Sequence, residues 1–351
     1  MANVLVTGGA GFIGSHLVDA LVEDGHRVRV VDARHPFAHL EQGPVPHRGV
    51  EYLYGNIGGR AVLRRALEGT EVVFHLAAAL GMKQSMEYVS GYVHYNTLAT
   101  AQLLEYLGDH PHSVRRLVVA SSNTVYGEGP YRCPRCAKTV HPSHRSVEAL
   151  RRRKWEQTCP DCGGEVSAVP TPESKPLTPT SIYAITKRDQ EEISLVMGRS
   201  LGIPTIATRF FNVYGPGQSL FNPYAGVCAL FQSTISRGRV PRIFEDGKQT
   251  RDLVSVHDVV RALRLAGEST VPGSVAINVG SGIASSMLDV AQTLADLYGM
   301  KTPILPNGEY RDFDVRHSYA DIAKARTLLG YVPQVSLREG LGELARRSSD
   351  R

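Results

Sequence analysis

A chain of 351 residues, 42% of them hydrophobic, is long enough to bury a large core as one big domain or two closely joined ones. Most of its formal charge of +5 gathers in residues 128–172, which hold eight Lys or Arg against five acids; no long basic stripe interleaved with aromatics marks a nucleic-acid binder. No apolar run reaches the length of a bilayer crossing and no charged, greasy leader opens the chain, so a cytoplasmic protein without a membrane partner is the expectation.

From the start of the chain, short β-branched runs, "VLVT", "RVRVVD", "VEYLYG", "EVVFHLA" and "RRLVVASS", alternate with helical patterns such as "SHLVDALVED" and "NTLATAQLLEYL". Strand-helix repetition of this kind predicts an α/β fold with a doubly wound parallel sheet covered on both faces. Residues 1–180 are read as that Rossmann domain, interrupted by an insertion at 128–172 and joined by later segments near 181–215 and 250–262. Beyond residue 180, "PTIATRFFNV" and "SVAINVG" continue the alternation irregularly, and 216–351 is read as mainly a smaller α/β lobe.

In "VLVTGGAGFIGSHL", Gly8, Gly11 and Gly14 fall between the first strand and its helix, where glycine lets backbone approach a pyrophosphate at the helix amino end. Asp32 closes the second strand, placed to accept hydrogen bonds from the adenosine ribose and to repel a 2′-phosphate, which favours NAD; Arg34 beside it argues the other way. Asn56 and Ile57 follow the third strand, near the expected adenine. The fifth strand ends in Ser121, Ser122, Asn123 and Thr124 at the carboxyl edge, where ligands of open α/β sheets bind.

Between Tyr126 and Tyr183 the chain runs far beyond the roughly 2 to 6 residues that a βα loop needs. Cys133, Cys136, Cys159 and Cys162 stand there as two Cys-Pro-x-Cys knuckles, the pattern of a zinc ribbon in which four thiolates surround one tetrahedral, structural ion. No position is left for water, so a catalytic zinc is not expected; reduced thiols in a flap are the alternative. Because both ends of the insertion adjoin site segments, a cap over the pocket is anticipated. The remaining cysteine, Cys228, is read as a core or pocket residue. In "SIYAITK", Tyr183 and Lys187 lie four apart on a helix, so both side chains share one face. A neighbouring cation favours the phenolate and would let Tyr183 act as a base.

Taken in order, "TGGAGFIG", "HLAA", "SSNTVYG", "YAITK", "RFFNVYGPGQ" and "GKQTRDLVSVHDV" cover nearly the whole chain. The chain resembles the extended short-chain dehydrogenase/reductase family, specifically its nucleotide-sugar epimerases and dehydratases. The resemblance implies NAD held by Gly8, Gly11, Phe12, Ile13, Gly14, Asp32, Asn56, Ile57, Leu76, Ala77, Ala78, Asn96, Tyr183 and Lys187, and catalysis by Ser122, Tyr183 and Lys187. It further implies a nucleoside-diphosphate-sugar substrate met by Ser122, Asn123, Thr124, Asn212, Arg251 and Arg311, and a homodimer. The chain departs from the family at Asn56, where Asp is frequent, at Leu80, where some epimerases carry lysine, and in the cysteine-bearing insertion.

In such a family the reaction turns on the residues just beyond the catalytic hydroxyl. Related dehydratases and decarboxylases carry an acid there and 3,5-epimerizing relatives a cysteine at the Thr124 position; this chain has Asn123 and Thr124, which exchange no proton near neutral pH. The reading that remains is 4-epimerization by transient oxidation at C4. By resemblance it is most like the dTDP-L-rhamnose 4-epimerase type, with UDP-glucose/galactose or uronate 4-epimerization, a 4-ketoreductase and an NAD-sensing regulator as alternatives.

Overall fold

The computed structural model describes residues 1–34, 46–218, 226–312 and 314–349. Alternation along β1 (Asn3–Thr7) sends Val4 and Val6 into one hydrophobic core with Leu17, Val18 and Leu21, and Leu5 into a second with Leu63, Leu103 and Leu117. A strand buried on both faces belongs inside a parallel sheet sandwiched by helices. β2 (Arg27–Asp32), β3 (Glu51–Tyr54), β4 (Val72–His75) and β5 (Arg116–Ser122) follow in chain order. The chain then leaves the sheet for β6 (Tyr131–Cys133), β7 (Lys138–Val140) and β8 (Ser167–Ala168), and returns as β9 (Thr205–Phe210). After β10 (Asn212–Tyr214) and β11 (Thr250–Ser255) comes β12 (Ser274–Val279), which joins the first sheet although it lies beyond residue 216.

The seven strands stand in the order β12-β9-β5-β4-β1-β2-β3, all paired in parallel. Strand order therefore runs outward in both directions from β1 and β4, and the crevice at their carboxyl ends is where such a sheet receives a ligand. A second sheet, β10-β11-β13 with β14 (His317–Ser318) also on β11 and β13 at Ala284–Ser286, rests on its own core of Phe231, Leu253, Val290, Leu294 and Leu341. The insertion is a third, three-stranded sheet, β7-β6-β8. Its buried hydrophobic cluster is only Tyr131, Cys133, Val140 and Cys159. So few apolar side chains do not offset the conformational entropy of an ordered segment this long, and an additional tie is needed. Among the described residues no helix is long and apolar enough to cross a membrane.

Candidate active site

A cleft of 440 Å³ opens at the carboxyl ends of β1, β2, β4 and β5. The glycines at its floor are there for space. Gly8 has φ +73°, and a Cβ on it would stand 2.8 Å from the Ala77 nitrogen; one on Gly14 would stand 2.1 Å from the Gly8 carbonyl. The helix Phe12–Glu23 consequently starts against bare backbone, its free N–H groups facing the cleft where a pyrophosphate fits. Asp32, 6% exposed, accepts from the Ala10 N–H (3.0 Å) and the Arg34 N–H (2.8 Å), which aims its carboxylate across the same floor. Arg34 turns away and covers the Tyr54 ring at 4.9 Å. Phe12, Ile13, Asn56, Ile57, Leu76, Ala77 and Ala78 also line the cleft, so of the residues expected to hold NAD all but Asn96 border it. The buried glycine cradle and the acid beyond it fit that dinucleotide.

Ser181 caps the helix Ile182–Ser200 by accepting from the Ala184 N–H at 3.1 Å, which fixes the phase of Tyr183 and Lys187 toward the end of β5. Ser122, on β5, lines the cleft with Tyr183, and Ser122 Oγ accepts from Thr124 Oγ1 at 2.9 Å. Burial is the larger influence on Tyr183 and pushes its pKa up to about 12, with the nearby Ser122 hydroxyl pulling it back in part. Burial lowers Lys187 to about 7. The lysine one turn away thus does not by itself make Tyr183 a base at neutral pH; a further positive charge beside the ring is required.

Sequence reasoning missed what stands behind Lys187. Its Nζ donates to Gln190 Oε1 at 2.8 Å, and Gln190 Nε2 reaches Thr100 Oγ1 at 2.9 Å and His75 Nε2 at 3.3 Å. His75 also bonds Thr7 Oγ1 and Thr100 Oγ1, each at 2.8 Å. Only the place of Gln190, one turn beyond Lys187, was a signal. Asn96 lies in a widened helical turn, Val93–Leu98, accepts from the Ala79 N–H at 2.6 Å and donates to Thr186 Oγ1 at 2.9 Å. It fastens the helix Ile182–Ser200 to the segment after β4 but does not itself line the cleft.

Of the residues expected to meet substrate, Ser122, Asn123, Thr124 and Asn212 line the cleft, while Arg251 and Arg311 do not. Arg251 donates to Asp314 at 2.8 Å, and Arg311, exposed, lies over the Phe244 ring at 4.4 Å. Cys228, buried, does line the cleft. The insertion does not cap it: no lining residue comes from 128–172. Both its stems are pinned at one spot, the Tyr126 carbonyl, which accepts from Lys175 Nζ at 2.7 Å and Thr178 Oγ1 at 2.6 Å. At its tip the four cysteine sulfurs lie within 4.8 Å of one another, with Cys133–Cys162 at 3.7 Å and Cys136–Cys159 at 3.8 Å. Those gaps are far too long for a disulfide, and match the roughly 3.8 Å edge of a tetrahedron whose centre is about 2.3 Å from each sulfur.

Residues 4–150 match the family model for the NAD dependent epimerase/dehydratase family, and residues 161–344 that for GDP-mannose 4,6 dehydratase. A dTDP-L-rhamnose 4-epimerase of Burkholderia thailandensis is 35% identical, with 97% of this chain and 93% of that one covered. Among solved structures, a UDP-glucose 4-epimerase from Thermotoga maritima with UDP-glucose superposes at TM-score 0.81 and 31% identity, covering 99% of this chain and 100% of that one. MoeE5 in complex with UDP-glucuronic acid and NAD gives 0.76 and 33%, covering 99% of each. Full-length likeness of this order, on a Rossmann sheet with the cleft described, makes this chain a member of the NAD-dependent epimerase/dehydratase family, an enzyme of the extended short-chain dehydrogenase/reductase type and an isomerase among them.

Proposed function

We propose that the protein is a nucleoside-diphosphate-sugar 4-epimerase whose substrate is a dTDP-deoxysugar such as dTDP-L-rhamnose. One observation carries the reaction type: Asp32, at the adenosine end, is the sole carboxylate among the described residues of the cleft, while Ser122, Tyr183 and Lys187 meet at its other end. Elimination or decarboxylation has no acid to use there. The cleft residues would hold NAD, which would supply a reversible acceptor for the hydride at the sugar's C4. Tyr183 takes the proton of the C4 hydroxyl and later gives it back, Ser122 holds the same oxygen through its hydroxyl, and Lys187 supplies positive charge along the tyrosine face. Turning of the 4-keto sugar before its reduction inverts the centre. The dTDP-deoxysugar is favoured over UDP-glucose by the likeness to the Burkholderia protein.

The donor set fits zinc: four thiolates at tetrahedral spacing, without a place for water. Cys133, Cys136, Cys159 and Cys162 would hold it, and its contribution is structural, closing a segment with little core of its own. The second copy of a homodimer is assigned to the face where the helices Met82–Glu87, Val89–Tyr92 and Ile182–Ser200 pack together. That face leaves Met86, Val89, Val93, Ile185 and Val196 exposed.

The decisive experiment is incubation of the purified enzyme, without added nicotinamide, with dTDP-L-rhamnose and UDP-glucose in separate tubes, followed by NMR at C4. Inversion of the dTDP sugar in preference to the UDP sugar is expected. Consumption of a reduced nicotinamide, or appearance of a 4-keto-6-deoxy product, would exclude the proposal.

A further inference from the structure

The insertion turns its inner face to the substrate lobe, and the contacts it makes there are charged, buried at Arg145, Glu245 and Arg316 and half-exposed at Glu156. Arg145, its side chain 3% exposed, donates to Glu245 Oε2 at 2.8 Å, to the Asp314 carbonyl at 3.0 Å and to the Trp155 carbonyl at 3.0 Å. Arg316 has a wholly buried side chain that grips Glu245 at 2.9 Å and Asp246 at 2.7 Å, and donates from Nε to Glu156 at 3.1 Å. Glu156 also meets His317 Nε2 at 3.2 Å. From the first stem, Glu128 accepts the backbone N–H groups of Arg316 and His317 at 2.9 and 3.1 Å. Residues 314–317 are thus gripped from the insertion on two sides, and Asp314 in that grip is the acceptor for Arg251. Arg251 also donates to the carbonyls of Val315 (2.6 Å) and Arg316 (3.3 Å), so every acceptor it uses beyond its own strand lies in the gripped segment.

Arg145 and Glu156 both fall in the stretch 137–158 that lies between the two cysteine knuckles, the stretch that a metal at the four sulfurs would close. We propose that Arg145 and Glu156 are positioning residues for the reaction: fixed by the metal-closed loop, they hold residues 314–317 and with them Arg251, which stands outside the lined cleft two residues before its Leu253, in the place from which it would meet the substrate's diphosphate. The insertion is then a brace behind the diphosphate arm. This rests on the reading of Arg251 as a diphosphate-binding residue. Buried charges of this kind require all of their partners, so removing one side loosens the segment rather than merely deleting a bond.

The test uses the full-length enzyme with its NAD and metal, and titrates it calorimetrically with UDP and with dTDP. Glu156→Gln, at a half-exposed position, and Arg145→Met should each weaken binding of the nucleotide that wild type prefers by about tenfold, the scale of one charged hydrogen bond. KM should rise by the same factor while kcat and NAD content stay within about twofold. Cys159→Ser, or metal stripped by a chelator, should reproduce the loss of nucleotide affinity. In an Arg251→Ala background the Glu156→Gln effect should vanish, because both act through the same guanidinium. An undiminished Glu156→Gln effect in that background, a fall in kcat at constant KM, or loss of NAD would overturn the brace; where Arg145→Met does not fold, Glu156→Gln alone decides. Failure of wild type to bind either nucleotide while it retains NAD would instead remove the nucleotide-sugar reading, and the brace with it.

Discussion

Tyr183 sits where its ring is partly buried and its phenol is protonated at neutral pH, so its reactivity awaits a cation rather than preceding it. Replacing it by Phe keeps the packing against Tyr92 but deletes the proton carrier. Turnover is expected to fall by about 10²- to 10⁴-fold with NAD content unchanged, read by NMR product formation and by absorbance of the released cofactor. His75 offers a pH signature. Burial, aided by Lys187, lowers it to about 3 from an ordinary 6.5. The unfolded chain therefore takes up a proton first as pH falls, and the stability that neutral His75 provides is complete above 6.5 and lost as pH falls through 3. Urea unfolding between pH 4 and 7 should show that decline, and His75→Gln should flatten it; equal slopes in both proteins would refute the assignment. Asp32 and the Tyr183–Lys187 spacing were legible because local pattern alone places them. Gln190, His75 and Thr100 were not, because what joins them is the approach of a helix to β4 across the core.

Among the elements, the insertion shows what pattern reading can and cannot deliver. Knuckle spacing foretold four sulfurs around a point; the orientation of the unit, away from the cleft and onto residues 314–317, depended on ion pairs that no periodicity encodes. The two knuckles are near copies: the residue after the second cysteine of each has positive φ, 52° at Ala137 and 67° at Gly163. Only the second uses glycine. Elemental analysis should find about one zinc per chain, and Cys159→Ser should abolish it while limited proteolysis begins to cut within 137–158. Less than a tenth of an equivalent in wild type, with all four thiols titratable, would refute the metal. Glu156 adds an acid-side dependence. A hydrogen bond from His317 and the charge of Arg316 hold its carboxyl at about 2, below its usual 4.5. Its contribution is thus present above 4.5 and lost as pH falls toward 2, and thermal melts of Glu156→Gln should lack that portion of the acid slope.

For the molecule as a whole, the proposed homodimer predicts that the exposed apolar side chains on the paired helices set its state of association. Light scattering should report twice the mass of one chain, and Val196→Glu, at a position 55% exposed, should yield monomers that keep bound NAD; a monomeric wild type would refute the assignment. Strand-helix alternation made the parallel sheet and its nucleotide crevice readable at this scale. The join of the two halves was less so, since β12 pairs with β9 along Ser274↔Thr205 to Val279↔Phe210 while the sequence near it looks like one more irregular strand. That pairing has a temporal meaning. During synthesis the edge of β9 has no neighbour until residue 279 has left the ribosome, so the nucleotide-binding half cannot mature ahead of the rest, and a chain cut after residue 215 should emerge with an open, aggregation-prone border.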